Sequence, residues 1–177
     1  MKRILLSGVL LFSITSMFAQ TKDLGNPIGW NAKHAKTNIP VKEMPSFDLA
    51  AMLEADEINN QTKDAPYRFG FEHIVEDNLA NSGEWTVMPN GNRFWRMAYK
   101  SEGALTMNVS FSNFKLAEGA KLHVYNQDMN IKDGAYTSSN NNKNNALGTF
   151  LIPGDVIIVE LFEPKDVVGM SALQVGM

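Results

Sequence analysis

The chain has 177 residues, 44% of them hydrophobic, a length and composition that suit one globular domain, with room for an appended segment. Its 16 basic and 19 acidic side chains make it slightly acidic, which argues against a nucleic-acid partner because phosphate binding needs a basic surface. Cysteine is absent, which excludes disulfides, a thiolate nucleophile, zinc–thiolate sites and lipid attachment through an N-terminal cysteine.

Residues 1–19 have the pattern of a secretory signal peptide. Lys2 and Arg3 precede an apolar run that ends at Phe18, and the small residue Ala19 offers a cleavage site. The alternative, an uncleaved membrane anchor, needs roughly 20 apolar residues, more than this run provides. We therefore expect a secreted or periplasmic protein with no membrane segment after cleavage. The mature chain would carry 14 basic and 19 acidic side chains, a net charge of −5.

Residues 20–65 are predicted to form an arm that contains one short helix. Up to about Ile39 the arm mixes Gly, Pro, Asn and Lys with a single tryptophan, Trp30, and shows no hydrophobic period. From about Ser46 to Asn59 the pattern predicts an amphipathic helix with Ser46 as its N-cap. The expected faces are an apolar one of Leu49, Met52 and Leu53 and an acidic one of Glu54, Asp56 and Glu57.

Residues 66–177 are predicted to be an all-β domain, because turn residues recur at short intervals and the helical period does not return. We predict about eight short strands in an antiparallel, jelly-roll-like β-sandwich, with a barrel as the alternative. The predicted strands are Tyr67–Phe71, Glu84–Met88, Arg93–Lys100, Leu105–Phe111, Leu122–Tyr125, Gly148–Ile152, Val156–Phe162 and Ser171–Val175.

Alternation assigns faces within these strands. From Leu105 to Phe111 it predicts that Leu105 and every second residue after it are buried while the residues between are solvated. From Arg93 to Lys100, one face carries Trp95, Met97 and Tyr99, and the other carries Phe94, Arg96, Ala98 and Lys100. We interpret the second face as packing against another layer; binding of sugar rings or of a partner chain is the alternative.

A polar, asparagine-rich segment, Ser138–Asn145, is predicted to be a long solvated loop between strands. Asparagine side chains in such a loop can also bind a sugar or an ion, and this is the alternative.

The sequence assigns no catalytic, cofactor-binding or metal-binding residue. None of the three histidines, His34, His73 and His123, has a second ligand at metal-binding spacing. We expect His123 to be an exposed or half-buried strand residue next to Tyr125, and we interpret His73 in the same way. No metal ion or cofactor is expected.

The usual signatures of hydrolase chemistry are missing as well. The sequence has no Gly-x-Ser-x-Gly elbow, and the serines considered as nucleophiles lie in turn or strand patterns: Ser82, Ser101, Ser110 and Ser112. Paired carboxylates for glycoside cleavage depend on a spatial separation that a sequence does not give. The available glutamates are Glu102, Glu118, Glu160 and Glu163.

The part of the chain from residue 66 onward, roughly two-thirds of the mature chain, resembles a known family. The matching residues are Pro66–Gly70, Gly91, Trp95–Arg96, Ser101, Gly103–Ala104, Phe111, Phe114, Leu116, Gly119–Ala120, Leu122, Val124–Tyr125, Gly134–Thr137, Asn140–Asn141, Pro153–Asp155 and Glu163–Pro164. Their order and spacing are similar to the N-terminal, non-catalytic region of secreted bacterial trypsin-like serine endopeptidases of the lysyl-endopeptidase type.

The resemblance implies a pro-region that precedes a chymotrypsin-fold catalytic domain and either assists its folding or keeps it inactive. The implied partner is the cognate trypsin-like catalytic domain, normally in the same polypeptide. The phrases around the family's catalytic His, Asp and Ser do not occur before Met177, so we expect a truncated gene product or fragment that hydrolyses nothing by itself. Segments that could cover the substrate cleft are the predicted helix from Ser46 to Asn59 and the loop around Asn140.

A second function is open from the sequence: a stand-alone secreted β-sandwich that binds a polysaccharide or a surface protein. Its binding strip would consist of Phe94, Tyr125 and Tyr136 if these aromatic side chains line one exposed face. A metal-dependent hydrolase is disfavoured for want of ligands.

Overall fold

A computed structural model describes residues 25–31, 38–63 and 65–176; the predicted signal peptide and His34 lie outside these ranges. The described residues are mostly β, with one helix, α1 (Leu49–Thr62). Their strands are β1 (Val41–Glu43), β2 (Asp77–Asn78), β3 (Glu84–Val87), β4 (Arg93–Lys100), β5 (Thr106–Met107), β6 (Ser110–Lys115), β7 (Lys121–Asn126), β8 (Lys132–Tyr136), β9 (Leu147–Gly148), β10 (Ile152–Pro153), β11 (Val156–Glu163) and β12 (Ala172–Val175).

The larger sheet has six strands in the order β1–β4–β11–β7–β8, with β3 also paired to β4. Strand β1 runs parallel to β4 and the other pairings are antiparallel. The continuous apolar run in β11 predicts a central strand, and β11 lies between β4 and β7 as expected. The predicted strand from Arg93 to Lys100 is confirmed with the same bounds.

A second, four-stranded sheet has the order β2–β12–β6–β9, and β5 pairs with β10 in a short ribbon. Side chains from the six-stranded sheet and the four-stranded sheet meet in one hydrophobic core, which gives a sandwich-like arrangement. The larger sheet contributes Trp95, Met97, Tyr99, Leu122, Val124, Ile157, Val159 and Leu161, and the four-stranded sheet contributes Phe111, Phe114, Leu173 and Val175. Burial of this apolar area is the main source of stability.

The outer face of the larger sheet is also covered. Ala98, Tyr125 and Ile158 are buried there and pack against Trp30 and Ile39, which come from the N-terminal part of the chain. The second face of β4 is therefore buried against another layer, as interpreted from the sequence, and both Phe94 and Arg96 lie within it.

Three strand predictions are wrong in whole or in part. Residues 67–71 form no strand, and their alternating aromatic side chains are exposed, because no neighbouring strand pairs with this segment. The strand predicted from Leu105 to Phe111 divides into β5 and the start of β6, which pair in different sheets. Leu105 is 88% exposed because the chain crosses between sheets after it. The strand predicted from Gly148 to Ile152 divides in the same way, into β9 and β10.

Helix α1 is present but differs from its prediction. Its N-cap is Asp48, not Ser46, because the Asp48 carboxylate accepts the Ala51 N–H at 3.0 Å. The helix ends at Thr62 and is capped by Lys63, which has a left-handed backbone conformation and donates its N–H to the Asn59 carbonyl. None of its residues is buried, so the predicted apolar face does not belong to the core.

Candidate functional site

A buried polar site lies on the outer face of the larger sheet. The strand register places Glu160 of β11 opposite Arg96 of β4 on one side and His123 of β7 on the other. We call these three residues the polar row; each is at most 3% exposed. The Tyr125 hydroxyl donates to Glu160 Oε2 at 2.9 Å. Three ionisable side chains are thus aligned across three central strands, away from water.

The polar row is closed by the N-terminal strap, which we define as Gly25–Asn31. Its centre is a 3-10 turn, Ile28–Trp30. The Gly29 N–H donates to both carboxylate oxygens of Glu160, at 3.1 and 3.0 Å. The Gly25 carbonyl accepts from Lys132 Nζ at 2.6 Å and lies 3.2 Å from His123 Nε2. These contacts hold the strap by its main chain.

Gly29 occupies a space that admits no side chain. A Cβ atom there would lie 2.4 Å from Glu160 Oε2 and 2.9 Å from both Arg96 Nη1 and the Tyr125 hydroxyl oxygen. The neighbouring Trp30 ring meets the Tyr125 ring edge-on, with centroids 5.7 Å apart. The absence of a side chain at Gly29 is what lets its N–H reach the carboxylate.

The electrostatics of the site follow from its burial. Burial raises the pKa of Glu160, while the Gly29 N–H, the Tyr125 hydroxyl and the Arg96 guanidinium oppose that rise by stabilising the carboxylate. Burial also raises the pKa of Tyr125, and the neighbouring Glu160 charge adds to the shift. Tyr125 therefore remains a neutral hydrogen-bond donor to Glu160 at physiological pH.

The structure corrects two predictions in this region. His123 is buried rather than exposed or half-buried, because the strap covers the face on which alternation places it. Phe94, Tyr125 and Tyr136 do not form an exposed aromatic strip. Phe94 and Tyr125 are fully buried, and the half-buried Tyr136 donates its hydroxyl hydrogen bond to Asp133.

Sequence reasoning missed the pairing of the strap with Glu160. One signal was available: Glu160 is a single charged residue in the middle of the apolar run Val156–Phe162, and a charge in a central strand requires a buried partner. The sequence does not show that this partner is a main-chain N–H. The N–H belongs to an arm that has no hydrophobic periodicity.

An exposed apolar surface lies apart from the core. It is a groove of about 670 Å³ between α1 and the segment after it, and we call it the aromatic groove. Its apolar lining is Phe47, Leu49, Met52, Leu53, Tyr67, Phe69, Phe71 and Leu105. Asp56 and Glu57 line it too, so the predicted separation of α1 into apolar and acidic faces is wrong.

The two walls of the aromatic groove are held together by a few contacts. The Phe47 and Phe71 rings stack with centroids 4.3 Å apart and planes inclined by 17°. Arg68 Nε forms an ion pair with Asp56 Oδ1 of α1 at 3.3 Å. Phe69 nevertheless remains 84% exposed and Tyr67 74% exposed. Contacts within the chain therefore hold the groove together, but they leave its aromatic side chains exposed to solvent.

One histidine and one serine meet near this region. Ser101 Oγ lies 3.4 Å from His73 Nε2, and the His73 ring contacts the Phe71 ring edge-on. The distance is at the limit of a hydrogen bond. Among the described residues no carboxylate hydrogen-bonds His73, so the pair lacks the third group that orients the base in a catalytic triad. We assign it no catalytic role.

The glutamates divide into exposed and buried pairs. Glu102 and Glu118 are exposed, whereas Glu160 and Glu163 are at most 1% exposed. Glu163 accepts hydrogen bonds from Arg93 Nε and Nη2 at 2.8 and 2.7 Å. Burial opposes ionisation of Glu163, but the N–H groups of Gly169 and Ser171 and the Arg93 guanidinium lower its pKa overall.

The predicted loop Ser138–Asn145 is largely exposed, as expected, and contains a 3-10 turn, Ser138–Asn140. The Asn141 amide binds the Leu116 backbone on both sides, accepting its N–H at 2.8 Å and donating to its carbonyl at 2.9 Å. That side chain therefore anchors the loop to the sandwich.

Within residues 25–31, 38–63 and 65–176, no three His, Asp or Glu side chains are grouped so as to hold a metal ion. In the same ranges no helix is both long and apolar enough to cross a membrane. No protein-family model matches the chain, and no solved structure matches it at a significant level.

Proposed function

We propose that this chain is the non-catalytic N-terminal region of a secreted bacterial trypsin-like serine endopeptidase of the lysyl-endopeptidase type. It is exported through its signal peptide, catalyses no hydrolysis itself, and acts on the cognate catalytic domain as a folding aid or an inhibitor. The resemblance of residues 66–177 to that family supports the proposal. Most of its apolar matching positions, among them Trp95, Phe114 and Leu122, lie in the core. A resemblance carried by core positions favours a shared fold, which we propose to be a jelly-roll-like sandwich.

The observation that carries the proposal is the aromatic groove. Leu53 is 58% exposed, Phe69 84% and Leu105 88%, and they line one surface. Contiguous exposed apolar surface of this kind marks a site of protein interaction, because solvation of clustered apolar side chains is unfavourable. A catalytic domain that docks here would bury these side chains and stabilise both partners.

The test uses residues 20–177 and the separately unfolded catalytic domain of a secreted bacterial lysyl-type endopeptidase. The catalytic domain is refolded with and without an equimolar amount of the chain, and the recovered activity on a lysyl peptide substrate is measured. The same substrate then reports whether the chain slows the folded protease. We expect at least a twofold gain in recovered activity or a dose-dependent slowing of hydrolysis.

A matched pair of variants separates docking from a general effect of added protein. Substituting both Leu53→Ser and Phe69→Ser removes apolar area from the aromatic groove and should abolish the effect. Val87→Ser removes a 70% exposed side chain outside the groove lining and should leave the effect intact. If the unmodified chain changes neither the refolding yield nor the hydrolysis rate, the pro-region function is wrong.

The exposed aromatics favour one alternative, a secreted module that binds polysaccharide. Aromatic rings that are open to solvent can stack on sugar rings. The exposed rings are those of Tyr67 and Phe69, not those of the aromatic strip that the sequence predicted. A glycan array probed with the chain and with Tyr67→Ala tests this function. Selective binding that the substitution removes would support it, and equal signals across the array would count against it.

A further inference from the structure

The polar row and Tyr125 form a pocket whose present occupant is a piece of the same chain. We propose that this pocket is a peptide-binding site for a short segment in which a glycine is followed by an aromatic residue. In this protein the N-terminal strap fills the pocket as a tethered ligand. The proposal is independent of the proposed protease partner.

The first argument is that the pocket binds peptide main chain. Glu160 uses both carboxylate oxygens to accept the Gly29 N–H, and Lys132 Nζ donates to the Gly25 carbonyl. The two contacts bind a main-chain N–H and a main-chain carbonyl four residues apart. Protein sites that bind peptides commonly use main-chain hydrogen bonds of this kind. The Glu160 carboxyl group thus contacts the strap through the strap's main chain and through no side chain at that position.

The second argument is that the pocket selects its ligand by shape. Any side chain at the Gly29 position would collide with Glu160 and approach Arg96 and Tyr125 within 2.9 Å. At the next position the Trp30 ring packs edge-on against Tyr125. The site therefore excludes residues larger than glycine at one position and favours an aromatic ring at the next, which together define a sequence preference.

The third argument concerns the tether. Strand β1 begins at Val41 and is paired in the larger sheet, so the strap is joined through a short stretch of chain to the sheet that contains its pocket. A short connection gives the strap an effective concentration on the order of millimolar at the pocket. A free peptide competes poorly with such a ligand, whereas a strap that no longer fits leaves the pocket open.

The experiment uses the full chain with Gly29→Ala, in which we expect the strap to leave the pocket, and a fluorescein-labelled, capped peptide of residues 25–31, GNPIGWN. We expect the peptide to bind this variant at least tenfold more tightly than it binds the unmodified chain, measured by fluorescence anisotropy. The same peptide with alanine at the Gly29 position should bind at least tenfold more weakly. Gly148→Ala, where a Cβ meets no atom within 4 Å, is the matched control and should behave as the unmodified chain.

Equal affinity of the peptide for the Gly29→Ala variant and the unmodified chain, with both folded by near-ultraviolet circular dichroism, would overturn the proposal. If the variant does not fold, the unmodified chain is given a protease site within residues 32–37 and cut after folding. We then expect a hundredfold excess of labelled peptide to replace the severed strap overnight. The proposal would also be wrong if the severed strap did not exchange with the labelled peptide. It would be wrong as well if the strap dissociated and the peptide did not bind in its place.

Discussion

Glu163→Gln tests whether the partly buried Arg93–Glu163 ion pair stabilises the sandwich. Glu163 Oε2 accepts hydrogen bonds from Arg93 and from the Gly169 N–H, and Oε1 accepts the Ser171 N–H. A glutamine has one acceptor oxygen, so either orientation of its amide points an NH₂ group at a backbone donor. An unsatisfied buried donor costs roughly 1–3 kcal/mol, and weaker bonds from Arg93 add roughly 1 kcal/mol. We expect a loss of about 3 kcal/mol in the free energy of unfolding.

The assay is urea unfolding followed by tryptophan fluorescence at pH 7, with thermal unfolding as a check. A loss of about 3 kcal/mol corresponds to a fall in Tm of roughly 6–12 °C for a chain of this length. Glu102→Gln, at an exposed position, is the matched control and should change stability by less than about 0.5 kcal/mol. Equal stabilities of Glu163→Gln and Glu102→Gln would refute the reasoning.

The pH dependence gives the same prediction a second readout. The folded protein lowers the pKa of Glu163, so its contribution to stability is present above the unfolded pKa of about 4.5 and is lost as pH falls through the folded pKa. The stability difference between Glu163→Gln and the unmodified chain should therefore shrink as pH is lowered from 7 toward 3. A difference that is constant over this range would show that the charge of Glu163 is not what stabilises the fold.

Two further substitutions test local features. Gly83→Ala places a Cβ 2.3 Å from the Trp95 ring at a φ of +67°, whereas Gly103→Ala meets no atom within 4 Å at a φ of +78°. We expect a loss of about 3 kcal/mol for the first and about 1 kcal/mol for the second by chemical unfolding, and equal losses would contradict the close contact. Asp48→Ala should lower the local stability of α1 by about 1 kcal/mol, because the helix loses its N-cap. We expect faster amide hydrogen exchange in residues 49–62 with unchanged global unfolding. Unaltered exchange would mean that the cap does not stabilise the helix.

The sequence predicts the sheet centre better than its surroundings. Strands β4, β7 and β11 are predicted because alternating or continuous apolar residues show directly which segments can be buried. The same alternation from Tyr67 to Phe71 gives no strand, since alternation states which residues share a face but not whether a partner strand exists. Pairing is a long-range property, and the change of sheet between β5 and β6 has no local signal.

The candidate site is less predictable than the fold. Alternation and residue type indicate an exposed or half-buried His123, and this expectation holds only if nothing covers that face of β7. Coverage comes from the strap, whose contacts with Glu160 and His123 use main-chain atoms and therefore leave little trace in residue type. The aromatic groove has the opposite character, because its side chains look like core residues in sequence and are exposed in the structure.

The attachment of the strap also sets an order in which the chain can complete its fold. Gly29 and Glu160 are 131 positions apart, so their contact closes one of the longest loops in the chain. When the chain is synthesised from its N-terminus, the strap emerges early but has no docking surface until β11 has joined β4 and β7. Until then Glu160, His123 and Arg96 face water, and closure of this polar face is a late folding event that follows formation of the sandwich core.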